Sequence, residues 1–69
     1  KYKKYDYKGA VEDYNAAIKI NPKYGYAYLN RGISKEMLRD NVGACDDWKK
    51  AQTLGINSAS NYIKLQCNE

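Results

Sequence analysis

Three groups of side chains in this chain are of types that can do chemistry, and each has a plainer explanation beside it. The carboxylates come in pairs, Glu12 with Asp13 and Asp46 with Asp47. Paired carboxylates serve acid–base catalysis or hold a cation. Acidic residues also gather near helix starts because the helix dipole favours them there, and that reading suffices for "EDY" and "DDW". The two cysteines, Cys45 and Cys67, are far apart and form no C-x-x-C pair. With no histidine in the chain they do not complete an ordinary zinc site. The front of the chain, "KYKKYDYK", interleaves basic and aromatic residues, a pattern that can bind single-stranded nucleic acid by charge and stacking. Its plainer reading, a solvated helix end, is preferred, because a net charge of +4 is too mild to name nucleic acid as the partner. No nucleophile with a base and no glycine-rich phosphate loop is present. The chain is therefore read as a non-enzyme that needs no metal and no cofactor.

The elements that position these residues follow from an internal repeat. "DYKGAVEDYNAAIKINP", from Asp6 to Pro22, aligns with "DNVGACDDWKKAQTLGI", from Asp40 to Ile56. Asp6 pairs with Asp40, Gly9 with Gly43, Ala10 with Ala44, Asp13 with Asp47 and Ala17 with Ala51. Tyr14 faces Trp48, and Ile20 faces Leu54. Each pair is 34 residues apart. A fixed period of this length signals a repeat architecture.

Each copy reads as an amphipathic helix, with Ala10, Tyr14, Ala17 and Ile18 as one stripe and Ala44, Cys45, Trp48 and Ala51 as the other. Asp6 caps the first, and Pro22 stops it. Asp40 or Asn41 caps the second, and Gly55 ends it. Between them, Tyr24 to Leu38 is a helix with apolar residues on more than one side and Gly32 inside. The short "LRDN" link makes it the antiparallel neighbour of the helix that follows. A fourth, shorter helix runs from about Ser58 to Cys67, with Ala59, Tyr62, Ile63 and Leu65 apolar and Asn57 or Ser58 as its cap. Its polar outer side suits a helix that seals the last exposed core. By register, Lys1 to Lys4 is the end of a helix whose beginning is absent. No apolar run is long enough to span a bilayer, so no membrane role is expected.

On these residues the chain resembles the tetratricopeptide repeat family, with its W-x2-L-G-x2-Y, A-x3-F and P pattern. Gly32 matches the glycine, and Tyr28 stands for the tryptophan. Ala44 with Trp48 and Ala10 with Tyr14 give A-x3-aromatic, Ala17 and Ala51 match a small position, and Pro22 is the closing proline. Arg31 departs from the usual leucine, Lys35 from the usual tyrosine, and Ile56 from the second proline. The resemblance implies an all-α solenoid of antiparallel helix-turn-helix repeats, about four helices in all. Residues 1–22 would be the second half of one repeat, 23–56 a complete repeat and 57–69 a capping helix.

The resemblance also implies a function: a scaffold or adaptor that holds a protein or peptide on its concave face. Tyr26, Leu29, Asn30, Ile33 and Met37, on the side of their helix away from Gly32, would line that face. A helical-repeat RNA-binding module and a purely structural end-cap are the alternatives. Gly32 and the alanines would let helix backbones approach closely, with Tyr14 and Trp48 as the largest contributors to burial. If nothing precedes Lys1, the stripe of Ala10, Tyr14 and Ala17 faces water. Further repeats or a second copy of the chain would then cover it. If the helices holding Cys45 and Cys67 form a hairpin turning near Ile56, opposite residues have numbers summing to about 112, as these two do. A disulfide between them is the expectation in an oxidising, extracytoplasmic setting, and two buried thiols in the cytoplasm.

Overall fold

The computed structural model describes residues 6–67, and four α-helices account for most of them. They are α1 (Tyr7–Ile20), α2 (Gly25–Met37), α3 (Asn41–Thr53) and α4 (Ala59–Gln66). The expected helix end at Lys1 to Lys4 lies outside the described residues.

Local chemistry fixes the boundaries. A helix start leaves backbone N–H groups without partners, and a short polar side chain just before it can accept from one. Asp6 does this for α1, with Oδ1 2.9 Å from the Gly9 nitrogen. Asp40 does it for α3, with Oδ1 3.0 Å from the Gly43 nitrogen. At the far end of α1, Asn21 is extended, as a residue before proline prefers to be. Asn21, Pro22, Lys23 and Tyr24 then form a turn closed by the Tyr24 N–H donating to the Asn21 carbonyl at 3.0 Å.

The ends of α2 and α3 share another design. In α2, Asp40 N–H donates to the Lys35 carbonyl and Arg39 N–H to that of Glu36. In α3, Ile56 N–H donates to Ala51 and Gly55 N–H to Gln52. This paired pattern closes a helix through one residue in the left-handed region. Gly55 takes it at φ 95°, where glycine has no steric cost, whereas Arg39 takes it at φ 67°. The expected α4 cap differs: Ser58 precedes the helix but its side chain makes no capping bond.

Substantial packing runs between α1 and α2, α2 and α3, and α3 and α4. The core sits where α2, α3 and α4 meet. Ala44, Trp48, Ala51 and Ala59 are wholly buried there, and Leu29 and Cys67 nearly so. Trp48 is the largest fully buried side chain. Tyr14, expected to match it, is only half-buried, because α1 packs substantially against α2 alone, whereas α3 packs against both α2 and α4. Leu65, expected on the inner face of α4, is 76% exposed; the inner face is Ala59, Tyr62 and Ile63.

Candidate functional site

The residues of α2 divide by direction, since successive side chains turn by about 100°. Taking Tyr26 as zero, Gly32 lies at about −120°, Leu29 at about −60° and Ile33 at about −20°. Met37 and Asn30 follow at about +20° and +40°. Burial is deepest at the Gly32 and Leu29 edge of that sweep. Gly32 is buried against Trp48: a methyl group built on it would lie 2.5 Å from Trp48 Nε1 and 3.1 Å from the Ala44 carbonyl oxygen. Ile33 is half-buried against the core. Tyr26 and Met37 are open, at 57% and 54% exposed, and Asn30 is half-buried.

Leu29 is therefore a correction. It was expected beside Tyr26 on an outward face, yet it is 7% exposed and part of the core cluster. Its backbone carbonyl accepts from the Trp48 indole N–H at 3.3 Å, which satisfies the one polar atom of that buried ring. Leu29 stands one turn from Gly32 on the side facing α3, and that placement decides its fate.

On the opposite side of α2 lies a cluster that the sequence reading passed over. Arg31 grips Asp47 with two hydrogen bonds, Nε to Oδ2 at 2.8 Å and Nη2 to Oδ1 at 2.6 Å. Its Nη1 donates to Asn15 Oδ1 at 2.8 Å, so one guanidinium ties α1, α2 and α3 together. Lys35 Nζ adds a second cation, 3.3 Å from Asp47 Oδ2. The Arg31 guanidinium also lies 5.3 Å from the centre of the Tyr28 ring, within cation–π range. Asp47 itself is 4% exposed.

The helix-dipole reading of Asp47 is thereby corrected. It is the seventh residue of α3, past the first turn, and a buried carboxylate there requires partners. Arg31 and Lys35, two of the three departures from the family pattern, are those partners. The signal was present in the sequence. Two cations one turn apart stand at positions usually apolar, and an acid stands on the stripe of Ala44, Trp48 and Ala51. The hydrogen bonds to Asp47 raise the Arg31 pKa above its ordinary value, burial lowers it, and the Asp47 charge raises it again. A raised arginine pKa leaves its stabilisation fully present below the ordinary range and removes it only above that range. Arg31 is thus cationic at every pH at which a protein is handled.

Cys45 and Cys67 are joined by a disulfide, with sulfurs 2.07 Å and Cα atoms 5.8 Å apart. The bond links α3 to the end of α4. Trp48 and Tyr62 stack on the same seam, ring centres 5.1 Å apart. An open cleft of about 270 Å³ lies over the bond, lined by Val42, Lys49 and Gln66 among others.

The remaining candidates are quickly placed. Ala10, Tyr14 and Ala17 form a half-buried stripe on α1. Glu12, Asp13 and Asp46 are exposed. Among the described residues no three acidic, cysteine or histidine side chains are grouped to hold a metal. No helix among them is long and apolar enough to cross a membrane. The basic front from Lys1 to Tyr5 lies outside the described residues.

Comparison with known proteins agrees with this arrangement. A family model described as TPR repeat matches residues 1–38. Over 52 residues, 75% of this chain, the sequence is 38% identical to RNA polymerase II-associated protein 3 of Xenopus tropicalis. The matched part is 8% of that relative, so this chain corresponds to a small fraction of its length. No solved structure matches. On the repeat match and on its helical-repeat architecture, the chain belongs to the tetratricopeptide repeat family.

Proposed function

We propose that the chain is a protein-interaction module holding a peptide or partner protein against the open side of α2. Tyr26, Asn30 and Met37 are the contacts, with Ile33 supporting them from beneath. One observation carries the reading. α2 is packed by α1 and by α3, yet a stripe along it stays open, with two large side chains more than half exposed. Tyrosine and methionine suit such a surface, one as a rigid amphipathic anchor and the other as an adaptable apolar contact. Repeats of this family mediate protein–protein interaction, and the relative is named for association with RNA polymerase II, itself a protein.

In this reading residues 23–56 form a complete repeat. The second half of another repeat precedes it through residue 22, and a capping helix follows from residue 57. A further helix, from another repeat or a second copy, would lie on the half-covered stripe of Ala10, Tyr14 and Ala17.

The test is a peptide selected from a random library on the immobilised chain and then measured by calorimetry. Tyr26→Ala should weaken binding about tenfold to thirtyfold, the scale of a central aromatic contact. Val42→Ala, exposed on α3, should leave binding unchanged. Equal binding by wild type and Tyr26→Ala would remove α2 as the site.

A further inference from the structure

The link between Cys45 and Cys67 is placed where it controls one helix. α4 is eight residues long, below the ~12–15 that hold a helix by itself in water. Its substantial packing is with α3 alone. That packing consists of Ala59, Tyr62 and Ile63 on the core side, and Tyr62 is the ring that stacks on Trp48. At its start α4 hangs from the Gly55 turn, and Ser58 provides no side-chain cap. At its end it hangs from Cys67. The open cleft reaches the bond from outside, with Cys45 and Cys67 both in its wall.

We propose that Cys45–Cys67 is a thiol–disulfide exchange site that sets whether α4 stays closed over Trp48. The co-reactant is a dithiol. One of its thiolates attacks a cysteine sulfur through the cleft, forming a mixed disulfide and expelling the other cysteine as a thiolate, which takes up a proton. The second thiol of the reagent then attacks the mixed disulfide. The remaining cysteine leaves as a thiol, and the reagent departs as a cyclic disulfide. Two electrons pass from the dithiol to the protein. The cross-link spans 22 residues, and its loss should make opening of α4 more frequent by on the order of a hundredfold. Opening uncovers Trp48, Ala51 and Ala59, an apolar surface next to the end of the stack. This site is independent of the α2 stripe, so either can fail without the other.

The chain has one tryptophan, so fluorescence excited to the red of the absorption of its eight tyrosines reports on Trp48 alone. The experiment measures that emission together with amide hydrogen exchange, before and after dithiothreitol. After reduction, α4 amides should exchange about a hundredfold faster while the interiors of α2 and α3 keep their protection, and emission should shift to the red. Reoxidation should restore both. The Cys45→Ser, Cys67→Ser double variant should match the reduced protein and ignore dithiothreitol. If that variant does not fold, the wild-type titration decides alone. Three results would overturn the proposal: unchanged α4 exchange on reduction, equal loss of protection in α2 and α3, or two free thiols before any reductant is added.

Discussion

α1 and α3 are nearly the same sentence written twice, and they meet different fates. Their starts are equivalent: Asp6 and Asp40 accept from Gly9 and Gly43 at 2.9 and 3.0 Å. Their middles are not. Ala44, Asp47, Trp48 and Ala51 are buried in α3, whereas Ala10, Tyr14 and Ala17 are half-buried in α1 and Asp13 is exposed. The Asp-x-x-Gly cap joins residues only three apart, so both copies form it whatever packs around them. Burial needs neighbours, and α3 has α2 on one side and α4 on another. The repeat encodes a surface ready to be covered, and position in the stack decides whether it is.

Substitutions at matched positions sharpen this contrast. The largest gap should be at the aromatic pair. Trp48→Ala should cost about 3–5 kcal/mol, enough to unfold much of a small domain. Tyr14→Ala, half-buried to begin with, should cost about 1–2 kcal/mol. Urea titration followed by circular dichroism measures both, and equal costs would mean α1 is as enclosed as α3.

The acid pair comes next. Asp47→Asn removes the carboxylate that Arg31 and Lys35 share. Stranding a fully buried partner costs about 3–5 kcal/mol. The Arg31 side chain is 18% exposed and water can reach it, so about 2–3 kcal/mol is expected here. Asp13→Asn should stay within about 0.5 kcal/mol, as at most exposed positions. The same titrations test it, and a cost at Asp13 near that at Asp47 would show that it too is clasped.

The smallest effect is one in which the two copies should agree. Asp6→Ala and Asp40→Ala should each cost about 1 kcal/mol through loss of a helix cap. Thermal melts of the two variants check this. A severalfold difference would mean that the caps, too, depend on what lies around them.

The same distinction governs what could be read from sequence. The capped starts of α1 and α3, the break at Pro22 and the turn at Gly55 are short-range chemistry, and they stood in the residues themselves. The 34-residue spacing placed Ala44, Trp48 and Ala51 on the inside, because an apolar stripe with small residues has one good use. What depended on a second helix was harder. Leu29 sits one turn from Gly32, and periodicity alone could assign it to either edge of the stripe. Tyr14 looks equivalent to Trp48 until the neighbours are counted. Arg31, Lys35 and Asp47 each had an adequate local explanation, and only their convergence in space shows them to be one unit. The turn at Arg39 is the reverse case. No residue announces a left-handed position there, yet the hydrogen bonds from Arg39 and Asp40 hold one.

Each helix leans mainly on the one before it and the one after it along the chain. Such an assembly has no keystone. Damage at either end need not travel to the other, and order can spread outward from wherever the first hairpin happens to close. Lengthening the molecule by another hairpin would extend that line without redrawing what already stands.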